Sequence, residues 1–233
     1  MRIGIYGGTF NPIHRGHLTA AAAAAKQLCL DKLLLVPDAI PPHKPLPAGS
    51  ADAADRLEMV QLCTGELPVP AEVTDLELRR QGASYSCDTL AALREQYPAD
   101  ELFFLMGSDM FLSFETWRRP EEICRLATLA VFSRRTADEA AAFARQKEKL
   151  EKAFSARVTV VMNPEVIEVS STQLREELAR GRGRAYLTEP VYGYILRKGL
   201  YGTATDLKHL TPEELRPIAL SYLKPVSYTH LRA

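Results

Sequence analysis

The chain opens on Ile3-Gly4-Ile5-Tyr6, an apolar run that passes directly into Gly7-Gly8-Thr9-Phe10-Asn11-Pro12-Ile13-His14-Arg15-Gly16-His17. A run this short and this apolar suits a strand buried on both faces, and the glycines after it suit a tight turn. The alanine-rich segment Leu18–Leu28 follows and favours a helix. This succession constrains the fold more than any other feature. Glycines let backbone approach a ligand closely, and a helix start offers unpaired N–H groups and a positive dipole end to an anion. His14 and His17 stand at that point, spaced to face one bound group, an arrangement suited to the phosphates of a nucleotide.

The same alternation runs through the chain. Arg2–Tyr6, Lys32–Val36, Ala71–Leu78, Leu102–Met106, Thr128–Phe132 and Arg157–Met162 read as strands. Between and after them Leu18–Leu28, Ala51–Cys63, Cys87–Gln96, Asp138–Phe154, Ser171–Ala179 and Pro190–Lys198 read as helices. Asp38–Ser50 carries Pro41, Pro42, Pro45 and Pro47 and reads as a loop. Strands alternating with helices predict an α/β fold: a Rossmann-like, doubly wound, mostly parallel sheet with helices on both faces. Ligands in such sheets gather at the carboxyl ends of the strands, where strand order reverses. Gly7–His17 and Gly107-Ser108-Asp109 both follow strands and both fall on that rim.

The expected organisation is one domain over 1–203 and a C-terminal helical extension over 204–233. Within the extension, Thr211-Pro212-Glu213-Glu214-Leu215 reads as a capped helix start, and Val226–Ala233 has no interpretable pattern. A truncated second domain, a docking helix and a sequence artefact are the open readings of this tail. The first is favoured, with the last few residues read as foreign.

With 29 basic and 29 acidic residues in 233, the chain carries no global bias toward nucleic acid or anionic membrane, so any phosphate binding depends on local cations. The four cysteines are scattered without a C-x-x-C pair, which indicates neither zinc nor a disulfide framework. A cytoplasmic setting is expected, with no membrane span and no leader segment.

Four constellations carry chemistry. The first is the pair His14 and His17, as donors to phosphate oxygens; the plainer readings are a metal pair or surface histidines, and no third ligand of suitable spacing accompanies them. The second is Val169-Ser170-Ser171-Thr172-Gln173-Leu174-Arg175. Ser170 and Gln173 form a capping-box pattern, and Arg175 lies one turn in; this is either a well-capped helix or a polyphosphate clamp. The third is Lys44 in the proline-stiffened Pro41-Pro42-His43-Lys44, a solvated lysine or an anion contact. The fourth is Asp109, placed to accept from ribose hydroxyls or an adenine amine, with Trp117, a stacking surface or a core side chain.

Taken in order, G-G-T-F-N-P-I-H-R-G-H, P-P-H-K, Y-S-C-D-T-L, G-S-D, E-T-W and V-S-S-T-Q-L-R resemble the nucleotidyltransferase superfamily. Within it they resemble the bacterial nicotinate-nucleotide adenylyltransferases, over about Met1 to Gly202. The resemblance implies transfer of an adenylyl group from ATP to nicotinate mononucleotide, with magnesium carried in by ATP and no covalent enzyme nucleophile. It implies that His17, with His14 beside it, stabilises the α-phosphoryl transition state. Gly8, Thr9 and Phe10 would present backbone groups, Ser171, Thr172 and Arg175 would hold the β- and γ-phosphates, and Lys44 would approach them. Thr89 and Trp117 would frame the pyridine ring, with backbone N–H groups near Trp117 reading its carboxylate, and Arg134 would contact a substrate phosphate. Leu210–Lys224 resembles the start of a fused phosphohydrolase of the HD type, without its His/Asp metal motif.

Three alternatives stay open. They are an enzyme of the same fold acting on phosphopantetheine, one acting on nicotinamide mononucleotide, and a nucleotide-binding module without catalysis. Oligomeric state is also open.

Overall fold

The central apolar runs become strands because apolar side chains meet both of their faces. In β2 (Lys32–Pro37), Leu33 and Leu35 join one core cluster, while Leu34 and Val36 join the other. A computed structural model describes residues 1–41, 45–80, 82–133, 137–162, 167, 169–203 and 210–223. Its strands β1 (Arg2–Gly8), β2, β3 (Ala71–Val73), β4 (Glu101–Met106), β5 (Thr128–Ser133) and β6 (Val158–Met162) form one sheet in the order β3-β2-β1-β4-β5-β6. Each neighbouring pair is parallel.

Helices α1 (Arg15–Gln27) and α2 (Ala53–Gln61) cover one face, together with α8 (Ser171–Ala179) and α9 (Glu189–Lys198). The other face is covered by α4 (Ser86–Gln96), α5 (Ser108–Leu112), α6 (Pro120–Leu126) and α7 (Ala137–Phe154). The sheet runs outward in both directions from the adjacent strands β1 and β4, so a crevice opens between their carboxyl ends. Gly7 and Gly8 end β1, and Gly107 follows β4.

Two expectations need correction. Ala71–Leu78 is not one strand: pairing stops at Val73, and the short helix α3 (Leu76–Arg79) follows. The Thr74 hydroxyl accepts the Leu76 N–H at 3.2 Å, and Asp75 pairs with Arg79 one turn on, so local polar contacts turn the chain away from the sheet. Helix α1 starts at Arg15 rather than Leu18, because the His14 carbonyl already accepts from the N–H groups of His17 (2.9 Å) and Leu18 (3.3 Å). His17 is therefore part of the helix.

Helix α10 (Pro212–Leu220) lies against α9. Gly193 permits this approach, since a Cβ there would fall 1.9 Å from the Pro217 carbonyl oxygen. Residues 224–233, which include the unpatterned Val226–Ala233, lie outside the described residues. Among the described residues no helix is long and apolar enough to cross a membrane.

Candidate active site

The turn after β1 is held by long-range hydrogen bonds. Phe10 takes a left-handed backbone (φ 47°) and drives its ring into the core at 2 % exposure. Asn11 is buried too; its amide donates to Ser50 Oγ at 2.8 Å. Arg175 Nη1 donates to the Asn11 carbonyl at 2.8 Å, and Ser171 Oγ to that of Pro12 at 3.4 Å. The guanidinium thus joins the histidine turn from 164 positions away. Its Nη2 also donates to Thr172 Oγ1. The predicted capping box at the start of α8 is present: Ser170 Oγ accepts from the Gln173 N–H, and Gln173 Oε1 from that of Ser170.

His14 and His17 lie with ring centroids 3.8 Å apart. The His14 backbone N–H donates to His17 Nδ1 at 3.2 Å, so the neutral His17 ring carries its proton on Nε2. Tyr6 and Phe10 pack around His17 at 6.2 and 5.2 Å between ring centroids. Burial among these rings pushes the His17 pKa well below its ordinary value, and His14 adds to the shift. Burial alone brings His14 down to about 4. Both imidazoles are therefore neutral donors at physiological pH, rather than cations waiting for phosphate. His14 Nδ1 is buried without a partner. Gly16 leaves room for that ring; a Cβ on it would stand 3.0 Å from His14 Nδ1.

Two cavities flank the switch point and share Gly107. The smaller, about 170 Å³, is lined by His14, Gly16, His17, Ser108, Asp109 and Val169, the last of these next to Ser170, the N-cap of α8. The larger, about 350 Å³, is lined by Gly7, Gly8 and Thr9 on one side and by Tyr85, Phe104 and Trp117 on the other. Trp117 serves the core and borders the cavity at once. Its ring packs on Phe114 (5.4 Å) and edge-on to Phe104 (6.2 Å), and it also walls the cavity.

Thr89 stands behind the wall, 3 % exposed, donating to Glu77 Oε1 at 2.6 Å and accepting from Arg80. The side chain of Phe10 likewise supports the site from behind. Lys44 and Arg134 fall outside the described residues.

Arg56 escapes sequence reading altogether. Its side chain is fully buried, and Nη1 donates to the Thr9 carbonyl (2.7 Å) and to Asp38 Oδ1 (3.0 Å), while Nη2 donates to the Ala39 carbonyl. Asp38 also accepts from Thr9 Oγ1 at 2.7 Å. One guanidinium thereby ties the loops after β1 and β2 together under the larger cavity. The available signal was its place three and four residues before Met59 and Val60 on the buried face of α2.

A glycine turn and a capped helix start that face one crevice at the switch point define a nucleotide-handling α/β domain. Residues 5–177 match the model of the cytidylyltransferase-like family. The probable nicotinate-nucleotide adenylyltransferase of Gloeobacter violaceus is 42% identical over 205 residues, covering 86% of this chain and 96% of that one. Its namesake from Thermus thermophilus is 43% identical over 202 residues, covering 86% and 100%. Among solved structures, the Plasmodium falciparum nicotinic acid mononucleotide adenylyltransferase complexed with NaAD has the same fold. It superposes with a TM-score of 0.68 at 17% identity, over 87% of this chain and 98% of that one. The chain belongs to the cytidylyltransferase-like family and, within it, to the nicotinate-nucleotide adenylyltransferases.

Proposed function

We propose that this protein transfers the adenylyl group of ATP to nicotinate mononucleotide, forming deamido-NAD and pyrophosphate in NAD biosynthesis. The observation that carries this reading is the pair of cavities meeting at Gly107, one lined by imidazoles beside a helix start, the other by aromatic rings. Two nucleotides placed there would meet over the β1/β4 crevice. A phosphate oxygen of the mononucleotide attacks the α-phosphorus of ATP. The bond from that phosphorus to the bridging oxygen breaks, and pyrophosphate departs with the electron pair.

In this reading the chain works by position and by hydrogen bonds. His17 Nε2–H donates to an α-phosphoryl oxygen, with His14 stacked beside it. Arg175, Ser171, Thr172 and the free N–H groups of α8 hold the β- and γ-phosphates. Asp109, exposed on the first turn of α5, accepts from the adenosine part. Gly8 and Thr9 let backbone meet the acceptor nucleotide, and Trp117 takes the pyridine ring. Among the described residues no three of His, Cys, Asp and Glu converge to cage a metal. A magnesium ion arriving with ATP would keep phosphate and water ligands.

Pyrophosphate release, measured with ATP and in turn nicotinate mononucleotide, nicotinamide mononucleotide and phosphopantetheine, tests the assignment. Nicotinate mononucleotide is the expected acceptor. Release with phosphopantetheine alone, or with none of the three, would overturn the reading.

A further inference from the structure

We propose that Arg56 is a positioning residue for the acceptor nucleotide, holding the Thr9–Asp38 wall of the larger cavity in the shape the acceptor meets. This rests on the function proposed above and deepens it. Arg56 is fully buried and stands behind the cavity, whereas Thr9 and Asp38 line it. Its guanidinium donates to the carbonyls of Thr9 (2.7 Å) and Ala39 (3.1 Å) and to Asp38 Oδ1 (3.0 Å). The Asp38 N–H donates in turn to the Gly8 carbonyl at 3.1 Å. The Ala39 N–H donates to Ser84 Oγ at 3.1 Å, so the fixed geometry reaches a third segment of the cavity wall.

Stability alone does not account for this arrangement. Apolar side chains of similar volume often serve a fold as well as a buried ion pair, because both charges lose their water. What apolar side chains lack is direction. A planar fork of donors aimed at two loops fixes both backbones at once. The same bonds set the polarity of the wall. Asp38 Oδ2 takes the one hydroxyl proton of Thr9 at 2.7 Å, which leaves Thr9 Oγ1 to accept. Carboxylate and hydroxyl together present acceptors, which suit the hydroxyl groups of a sugar and repel phosphate.

KM values for nicotinate mononucleotide and for ATP, taken from pyrophosphate release, test this assignment. Thr9→Val removes the hydroxyl with little change of shape. It is expected to raise KM for the mononucleotide about tenfold, the size of one hydrogen bond, and to leave KM for ATP unchanged. Arg56→Lys keeps the charge and loses the fork. It should raise the same KM at least as much, and the Thr9→Val effect should shrink in its background, since the two residues act through one chain of bonds. If Arg56→Lys does not fold, Asp38→Asn weakens the same link and is read in the same way. Three results overturn the assignment: a lowered thermal midpoint with wild-type KM for the mononucleotide, equal rises for both substrates, or effects that simply multiply in the double variant. Failure of the adenylyl-transfer reading is seen separately, as absence of pyrophosphate release by the unsubstituted protein.

Discussion

At the scale of single residues, the site is governed by where each imidazole is buried. Position alone suggested that His14 and His17 meet a phosphate group, and the cavity they share with Asp109 puts both beside α8. Their neutrality was not legible in the sequence. It follows from Tyr6 and Phe10, whose rings remove water from His17. A triphosphate bound there brings negative charge that offsets this desolvation and favours imidazolium. His17→Ala should lower kcat by about a hundredfold to a thousandfold, the range for losing one preorganised donor to a developing oxyanion. The thermal midpoint should hardly move. A variant with near-normal turnover and an intact fold would remove His17 from the chemistry.

At the scale of elements, helix propensity and site geometry oppose each other in the first turn of α1. Alanine is the better helix former, by about 1 kcal/mol in a helix interior, so Gly16→Ala judged by propensity should stabilise the protein. Yet its Cβ would press on the His14 ring at 3.0 Å and approach the Ile167 carbonyl at 3.4 Å. Gly16→Ala is expected to keep or raise the thermal midpoint while lowering kcat by about tenfold or more, since small displacements of a catalytic group are costly. Steady-state kinetics and a melting curve on one preparation decide it; wild-type kcat would show that His14 does not need its observed place. The capping box of α8 was readable because Ser170 and Gln173 are local partners. The early end of β3 was missed, because the alternation across Ala71–Leu78 hides the turn made by Thr74 and Asp75.

At the scale of the whole molecule, burying neutral imidazoles links stability to pH. His14 titrates near 4 in the folded chain, against an ordinary 6.5 when unfolded. The unfolded chain therefore binds the proton first as pH falls. The stability associated with neutral His14 is complete above about 6.5 and is lost progressively down to about 4, amounting to roughly 3 kcal/mol at 1.36 kcal/mol per pH unit. Denaturant midpoints for wild type and His14→Gln should converge as pH drops across this window; parallel curves would mean that His14 takes up its proton while folded. The amino-acid sequence by itself determined what depends on near neighbours: strands apolar enough to be covered on both faces, the glycine turn, the helix starts and the order of the motifs. The tertiary structure decided what depends on distant ones. Arg56 became the tie between two loops only because Asp38 and the Thr9 carbonyl converge on it. Arg175 reached the Asn11 carbonyl only once folding brought α8 beside the turn after β1. The pKa values of the two histidines fell only when the fold buried their rings. Burial and long-range hydrogen bonds are properties of the folded chain, and local pattern does not carry them.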